Sequence, residues 1–237
     1  MEFEGTPLGR GRATGPAHIV SNATVDQSPG AGRVLVVGAT AEWPRAHTPV
    51  DVVGLVLDAS ALGGPVPPGT PVVGDLPSDL FREGETVAVD GDRGTVTVSE
   101  LRRVDVVTAF LQREDGRILL LRRSGRVGSF QGRWAGVSGY LEDPRAEGQA
   151  YREVREETGL LEGDLRLLRT GRVVYARDGP TVYAVRPFLF RVGRTDVRLD
   201  WEHTDSAWVA PSEIGRRPTV PNLDRAWRAV APPGQQS

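Results

Sequence analysis

The sequence predicts an α/β (α+β) chain in two parts, a β-rich domain over residues 1–101 and a mixed α/β domain over residues 102–237. Three observations carry this expectation. The first hundred residues are short Val-rich runs between Gly/Pro turns, with little helical pattern. The one strong amphipathic helix pattern lies in the second part. The charge also changes sign: residues 1–100 carry 6 Arg against 13 Asp/Glu, a net of −7, and residues 101–237 carry 23 Arg against 18 Asp/Glu, a net of +5. A positive balance favours anionic ligands, although surface arginines are equally read as solvated.

In the first part, residues 17–20, 33–38, 54–58, 71–74, 86–90 and 95–99 read as strands bounded by turn residues. Asp90-Gly91-Asp92-Arg93-Gly94 between two alternating runs is a hairpin signal. The Gly/Pro-rich residues 63–69 form a loop, and residues 78–82 make one helical turn behind a Ser cap. In the second part, residues 104–113 alternate as a strand, Glu114-Asp115-Gly116 turns the chain, and residues 117–123 return as a buried strand. Residues 124–133 hold three glycines and read as a surface loop. A helix then follows, with Asp143 as N-cap and Pro144 at the first helical position. Its buried stripe is Ala146, Ala150 and Val154, and Gly159 ends it. Strands at residues 172–176, 181–192 and 207–209 and a helix over 222–230 complete the pattern.

Composition removes several chemistries. The 237 residues include no cysteine, which excludes disulfides, thiolate metal sites and cysteine nucleophiles. All 29 basic residues are arginine, so Schiff-base and phosphate-loop lysine chemistry is excluded too. No apolar run reaches the roughly 18 residues of a membrane span, and the first 20 residues lack a signal pattern, so a soluble, cytoplasmic protein is expected. His18, His47 and His203 are isolated and lack zinc-site spacing; His203 reads as a surface residue or a contact to substrate or water.

The chemistry concentrates in residues 152–160, Arg-Glu-Val-Arg-Glu-Glu-Thr-Gly-Leu. Glu153, Glu156 and Glu157 stand at i, i+3 and i+4, which puts three carboxylates on one helix face. Like charges at this spacing repel by a few tenths of a kcal/mol per pair, roughly, so a cation is called for. Arg152 and Arg155 offer one remedy, and a hard divalent metal offers another. Taken alone, the triplet is read either as a solvated face or as a metal site.

Residues 139–160 as a whole resemble the Nudix box: glycine, five residues, glutamate, seven residues, then Arg-Glu-aliphatic-x-Glu-Glu-x-Gly-aliphatic. The second half matches at every specified position. The resemblance covers about residues 104–230 and includes the flanking hairpin, Trp134 and the later Trp208-Val209-Ala210-Pro211-Ser212-Glu213-Ile214. The first half departs. Gly139 to Arg152 spans 13 positions where the family has 14, and Arg145 stands where the loop glutamate is expected; Glu142 fits the family's common acidic position three after the glycine, and Glu147 is the candidate substitute for the loop glutamate.

The resemblance implies an α/β/α sandwich with a mixed sheet. It also implies that Glu153, Glu156 and Glu157 ligate Mg²⁺ (or Mn²⁺), with Glu153 a ligand or the base and Arg152 orienting the carboxylates. The carbonyl of Ser138 and, from a later loop, Glu202 would be further oxygen ligands. Arg122, Arg123 and Arg133 are candidates, by position, to grip phosphate. Trp134, Phe130, Tyr175 and Tyr183 read as base-stacking or core residues. The implied activity is metal-dependent hydrolysis of a diphosphate in a nucleoside diphosphate linked to another moiety, such as ADP-ribose, a nucleotide sugar or a nucleoside triphosphate. The partner is then a nucleotide-type small molecule, not nucleic acid or membrane, and a homodimer is left open. The alternative is a non-catalytic Nudix-fold module that senses a nucleotide. Isopentenyl diphosphate isomerisation is disfavoured by the absence of cysteine.

The first part looks like the end of the swivelling phosphohistidine domain of phosphoenolpyruvate-utilising enzymes, through Pro71-Val72-Val73-Gly74, residues 80–96 and the opening Gly11-Arg12-Ala13-Thr14-Gly15-Pro16-Ala17. That resemblance implies a β/β/α scaffold. The segment where the family carries its histidine is residues 58–65 here and contains none, so phosphoryl transfer is not expected.

Overall fold

Val-rich alternation puts most of the first hundred residues into strands. The computed structural model describes residues 1–20, 32–38, 52–58 and 68–235. Residues 59–67, where most of the expected Gly/Pro loop and the histidine-free segment fall, and His47 lie outside them. The chain divides into two compact units, Met1–Arg103 with Arg177–Val182, and Val104–Ala176 with Tyr183–Ser237.

The first unit contains β1 (Glu2–Glu4), β2 (Thr6–Gly9), β3 (Arg12–Val20), β4 (Arg33–Val37), β5 (Val52–Leu57), β6 (Val72–Gly74), β7 (Thr86–Asp90) and β8 (Thr95–Val98). They form one sheet in the order β1-β8-β7-β3-β4-β5-β6-β2. β3 to β6 run parallel, and the remaining pairings are antiparallel. The sheet's two edge strands, β1 and β2, are joined only by Gly5, so the sheet curls until its edges meet. A Cβ on Gly5 would collide with the carbonyl of Gly74 and the side chain of Val73, which is why the crossover takes a glycine. The β7–β8 hairpin closes at Asp90–Thr95, as its turn residues predict.

Neither β1 nor β2 was expected. Three or four residues carry too little alternation, and their partners, β8 and β6, lie far away in sequence. β3 starts five residues before the expected strand, because residues 12–16 pair with β7 whereas 17–20 pair with β4. The expected helical turn is a 3₁₀ turn, Ser78–Leu80, preceded by Pro77 rather than capped by a Ser side chain.

The second unit contains β9 (Arg102–Gln112, whose first two residues belong to the first unit), β10 (Ile118–Arg123), β11 (Trp134–Ala135), β12 (Val137–Tyr140), α1 (Ala146–Thr158), β13 (Leu165–Thr170), β14 (Val174–Asp178, whose last two residues belong to the first unit), β15 (Thr181–Val192, whose first two residues belong to the first unit), β16 (His203–Val209) and α2 (Leu223–Val230). The sheet runs β11-β10-β9-β15-β13, with β12 on β9, β14 on β15 and β16 on β10.

Its two faces bury separate cores. Val107, Ala109, Leu111, Leu119, Leu121, Phe188 and Phe190 pack against Ala150 and Val154 of α1. Phe110, Ile118, Leu120 and Leu189 pack on the other side against Leu223, Ala226, Trp227 and Val230 of α2. Successive residues of β10 point to opposite faces, and both faces are covered by a helix. This explains the unbroken apolar run 118–121. The architecture is the expected α/β/α sandwich. Among the described residues no helix is long and apolar enough to cross a membrane.

Candidate active site

Helix α1 carries the predicted chemistry and ends as predicted. Gly159 has φ +71° and its N–H reaches the carbonyl of Arg155 at 3.0 Å. The start differs from expectation. The helix begins at Ala146, and the N-cap is Arg145 in an extended conformation, not Asp143. The Asp143 carboxylate accepts the Arg145 N–H at 2.7 Å, which holds Pro144 and Arg145 in a local turn instead of a first helical turn.

The three glutamates share a face but not an environment. Glu153 is half-buried, Glu156 is exposed, and Glu157 is only 3% exposed. Glu153 and Glu156 line a cavity of about 350 Å³, together with Glu142, Arg152, Ser138, Gly139, Arg123 and Glu202. Glu157 sits behind that wall. Its Oε1 accepts the Ser138 N–H at 3.3 Å, and its Oε2 has no hydrogen-bond partner among the described residues. Burial, reinforced by the charge of Glu153, pushes the Glu157 carboxyl well above its ordinary range. Burial also raises Glu153, against a hydrogen bond from Gln149 that lowers it. Gly139 faces this helix so closely that a Cβ there would occupy the position of the Glu153 carboxylate. The box glycine therefore makes room for the acid.

Of the other predicted residues, Glu202 reaches the cavity. Its backbone is held by Ser124 N–H at 2.7 Å and by the Asp200 carboxylate at 3.1 Å. Arg123 also lines it, bracing on the Ser129 carbonyl at 3.0 Å. Arg122 and Arg133 do not. Strand alternation turns Arg122 outward, to the carbonyl of Gly132 at 3.3 Å, and Arg133 binds the carbonyl of Thr219 at 3.2 Å. The register of β10 against β16 shifts between Arg122 and Arg123, a bulge that sets Arg123 opposite His203.

His203 is not a surface residue. It is buried, with Nδ1–H donating to Asp200 at 3.0 Å and Nε2 lying 3.7 Å from Glu157 Oε2. Burial lowers its pKa, partly offset by Asp200.

Phe130 and Tyr183 line the cavity with ring centroids 5.6 Å apart, and Phe130 has φ +50°. A non-glycine aromatic in the left-handed region is strained, and such strain concentrates at functional sites. Trp134 and Tyr175 are instead buried outside the cavity wall. Glu147 is exposed and does not line the cavity, whereas Glu142 lies 3.6 Å from Arg152. The residue that the motif missed is Gln149, 1% exposed. Its i+3 and i+4 spacing to Arg152 and Glu153 was the available signal.

As the side chains stand, no group of three or more His, Asp and Glu residues among the described ones is arranged to hold a metal ion. The donor set nonetheless fits a hard divalent cation. It is all oxygen, it includes two carboxyls whose ionised form is disfavoured, and one buried carboxylate oxygen lacks a donor.

The layered α/β/α domain gathers acids and an arginine around one cavity, and its class is that of the Nudix pyrophosphohydrolases. The sequence profile of the NUDIX domain matches residues 102–229, more than half of the chain, and the chain belongs to that family. Among solved structures it is similar to a MutT protein from Methanosarcina mazei Go1, at 28% identity over 53% of this chain and 90% of that one, TM-score 0.46. It is also similar to a C. elegans Ap4A hydrolase at 20% identity over 53% and 93%, TM-score 0.45. The NUDIX domain of Shewanella oneidensis NrtR, complexed with ADP ribose, aligns at 19% identity over 52% and 83%, TM-score 0.43. No curated protein sequence matches the chain.

Proposed function

We propose that this protein hydrolyses the diphosphate of a nucleoside diphosphate linked to another moiety, with Mg²⁺ or Mn²⁺. The observation that carries the reading is the shared cavity: Glu153, Glu156, Glu202 and Arg123 line it, and so do the paired rings of Phe130 and Tyr183. Bound divalent metal would neutralise diphosphate oxygens and lower the pKa of water. Glu153, Glu156, Glu157, Glu202 and the Ser138 carbonyl would hold it.

The chain's own residues supply the rest. Arg123 faces the cavity and can pair with a phosphate oxygen. Arg152, beside Glu142 and Gln149, keeps the carboxylate wall from dispersing. Glu153, which lines the cavity, is either a further ligand or the base that takes the proton of the attacking water; such general bases contribute about 10²- to 10⁴-fold. The Phe130–Tyr183 pair accepts the face of a base.

The first unit enters this reading as a swivel-type scaffold, spanning about residues 1–101 and without phosphoryl transfer. Its support is the curled sheet of parallel and antiparallel strands.

The test is a panel of ADP-ribose, nucleotide sugars and nucleoside triphosphates with Mg²⁺ and Mn²⁺, run on wild type and on the double variant E156Q/E157Q. Release of monophosphate products by wild type and its loss in the variant are expected. Unchanged metal-dependent turnover in the variant overturns the assignment, and nucleotide binding without any product identifies a sensor instead.

A further inference from the structure

The box loop is one residue short and lacks its glutamate, yet it is firmly tied to helix α1. The tie is Gln149. Its Oε1 accepts the N–H of Glu142 at 3.3 Å and of Asp143 at 3.1 Å, and it also accepts the Arg152 guanidinium. Its Nε2 donates to Glu153 Oε1. Three donors thus converge on one end of the amide and a carboxyl oxygen of Glu153 faces the other, and the three donors fix the orientation of the group.

The side chain is 1% exposed, so unmade bonds would leave a buried polar group without partners. Only an amide serves both ends. A carboxylate at this position cannot donate to Glu153, and an aliphatic side chain can neither donate nor accept. Helical spacing places Gln149 three residues before Arg152 and four before Glu153, on the same face.

We propose that Gln149 is a positioning residue which replaces the absent loop glutamate, fastening the shortened loop to the helix and holding Arg152 and Glu153 in their working arrangement. The proposal rests on the hydrolase reading above for its kinetic consequence, but not for its structural one.

The test uses the full chain as wild type, Q149M and Q149E, with three measurements: thermal melting, Mn²⁺ affinity by paramagnetic titration, and kcat and KM on the best substrate of the panel. Q149M keeps length without polarity, and it should weaken Mn²⁺ binding at least fivefold. It should also lower kcat at least tenfold while KM stays within threefold. Q149E keeps the acceptor for the loop and Arg152 but loses the donor to Glu153. It should melt lower than wild type but stay folded at the assay temperature, as circular dichroism reads, and lose kcat at least tenfold, so it carries the test if Q149M does not fold. Wild-type kcat in folded Q149E, or wild-type Mn²⁺ affinity in folded Q149M, overturns the proposal. If wild type binds Mn²⁺ but hydrolyses nothing, the hydrolase reading falls, and a fivefold weaker Mn²⁺ affinity in Q149M still supports Gln149. Wild type that does not bind Mn²⁺ overturns both.

Discussion

Two glutamates of this chain, Glu85 and Glu157, have been given opposite surroundings. Within the first unit, Glu85 receives Arg177 in a two-pronged pair at 2.6 and 2.8 Å, and the N–H of Arg82 at 2.9 Å. The Arg177 hydrogen bonds hold its pKa below the ordinary 4.5. Glu157 is more deeply buried, receives one N–H at 3.3 Å, and keeps one oxygen without a donor; its pKa is pushed well above 4.5. A fold that can satisfy a carboxylate with arginine in one place leaves another unsatisfied where acids gather around a cavity. Glu85 is a satisfied acid, and under the proposed function Glu157 is held for a ligand that supplies positive charge.

The largest test of this contrast is E157Q. Neutralising the buried acid should cost about a hundredfold or more in kcat, beyond what outer-sphere changes cost. It should also leave the melting temperature of the metal-free protein equal or higher. A clear fall in both together would make Glu157 a structural residue like Glu85.

G139A comes next. Its methyl group takes the place of the Glu153 carboxylate, so a loss on the order of a hundredfold in kcat/KM is expected with the fold retained, as read by circular dichroism. Wild-type turnover in G139A would remove Glu153 from the chemistry.

R177A addresses the satisfied acid. Loss of its charged hydrogen bonds should destabilise the first unit by about 2 kcal/mol in denaturant unfolding, with little change in Mn²⁺ affinity. The pH dependence of stability separates the two acids by sign. Glu85 has a lowered folded pKa, so its contribution is present above 4.5 and is lost as pH falls through the folded value. Glu157 has a raised folded pKa, so its ionised form costs stability, which returns as pH falls through the raised value toward 4.5. R177A should therefore flatten the acid loss, and E157Q should flatten the gain, in metal-free melts.

The smallest effect concerns two neighbouring arginines. R123A should raise KM about tenfold, because a cavity-facing cation is removed. R122A, on the outward side of the same strand, should change it less than twofold.

Much of the second unit was legible because its signals are local. Val154 and Ala150, Gly159, and the i, i+3, i+4 spacing of the glutamates depend on residues within two helical turns. The run 118–121 was legible as buried, and β15 was placed at its observed bounds. The helix start is not legible locally, because a carboxylate–proline pair reads as a cap, whereas the Asp143–Arg145 hydrogen bond delays the first helical turn. The role of Gln149 is not legible either, because a polar residue beside an apolar stripe reads as solvated in sequence, whereas the folded loop covers it.

The sequence by itself therefore determined the helix, its stop, the facing of the three acids and the alternation of the strands, since each follows from a period of 3.6 or 2 residues. Only the tertiary structure decided that Glu157 is sealed in while Glu156 is open, that Arg123 rather than Arg122 enters the cavity, and that β1 finds β8. Those outcomes turn on partners brought together from distant parts of the chain, as Ser138 is to Glu157 and Phe3 to Val96. Burial and electrostatics depend on such neighbours and not on spacing along one element.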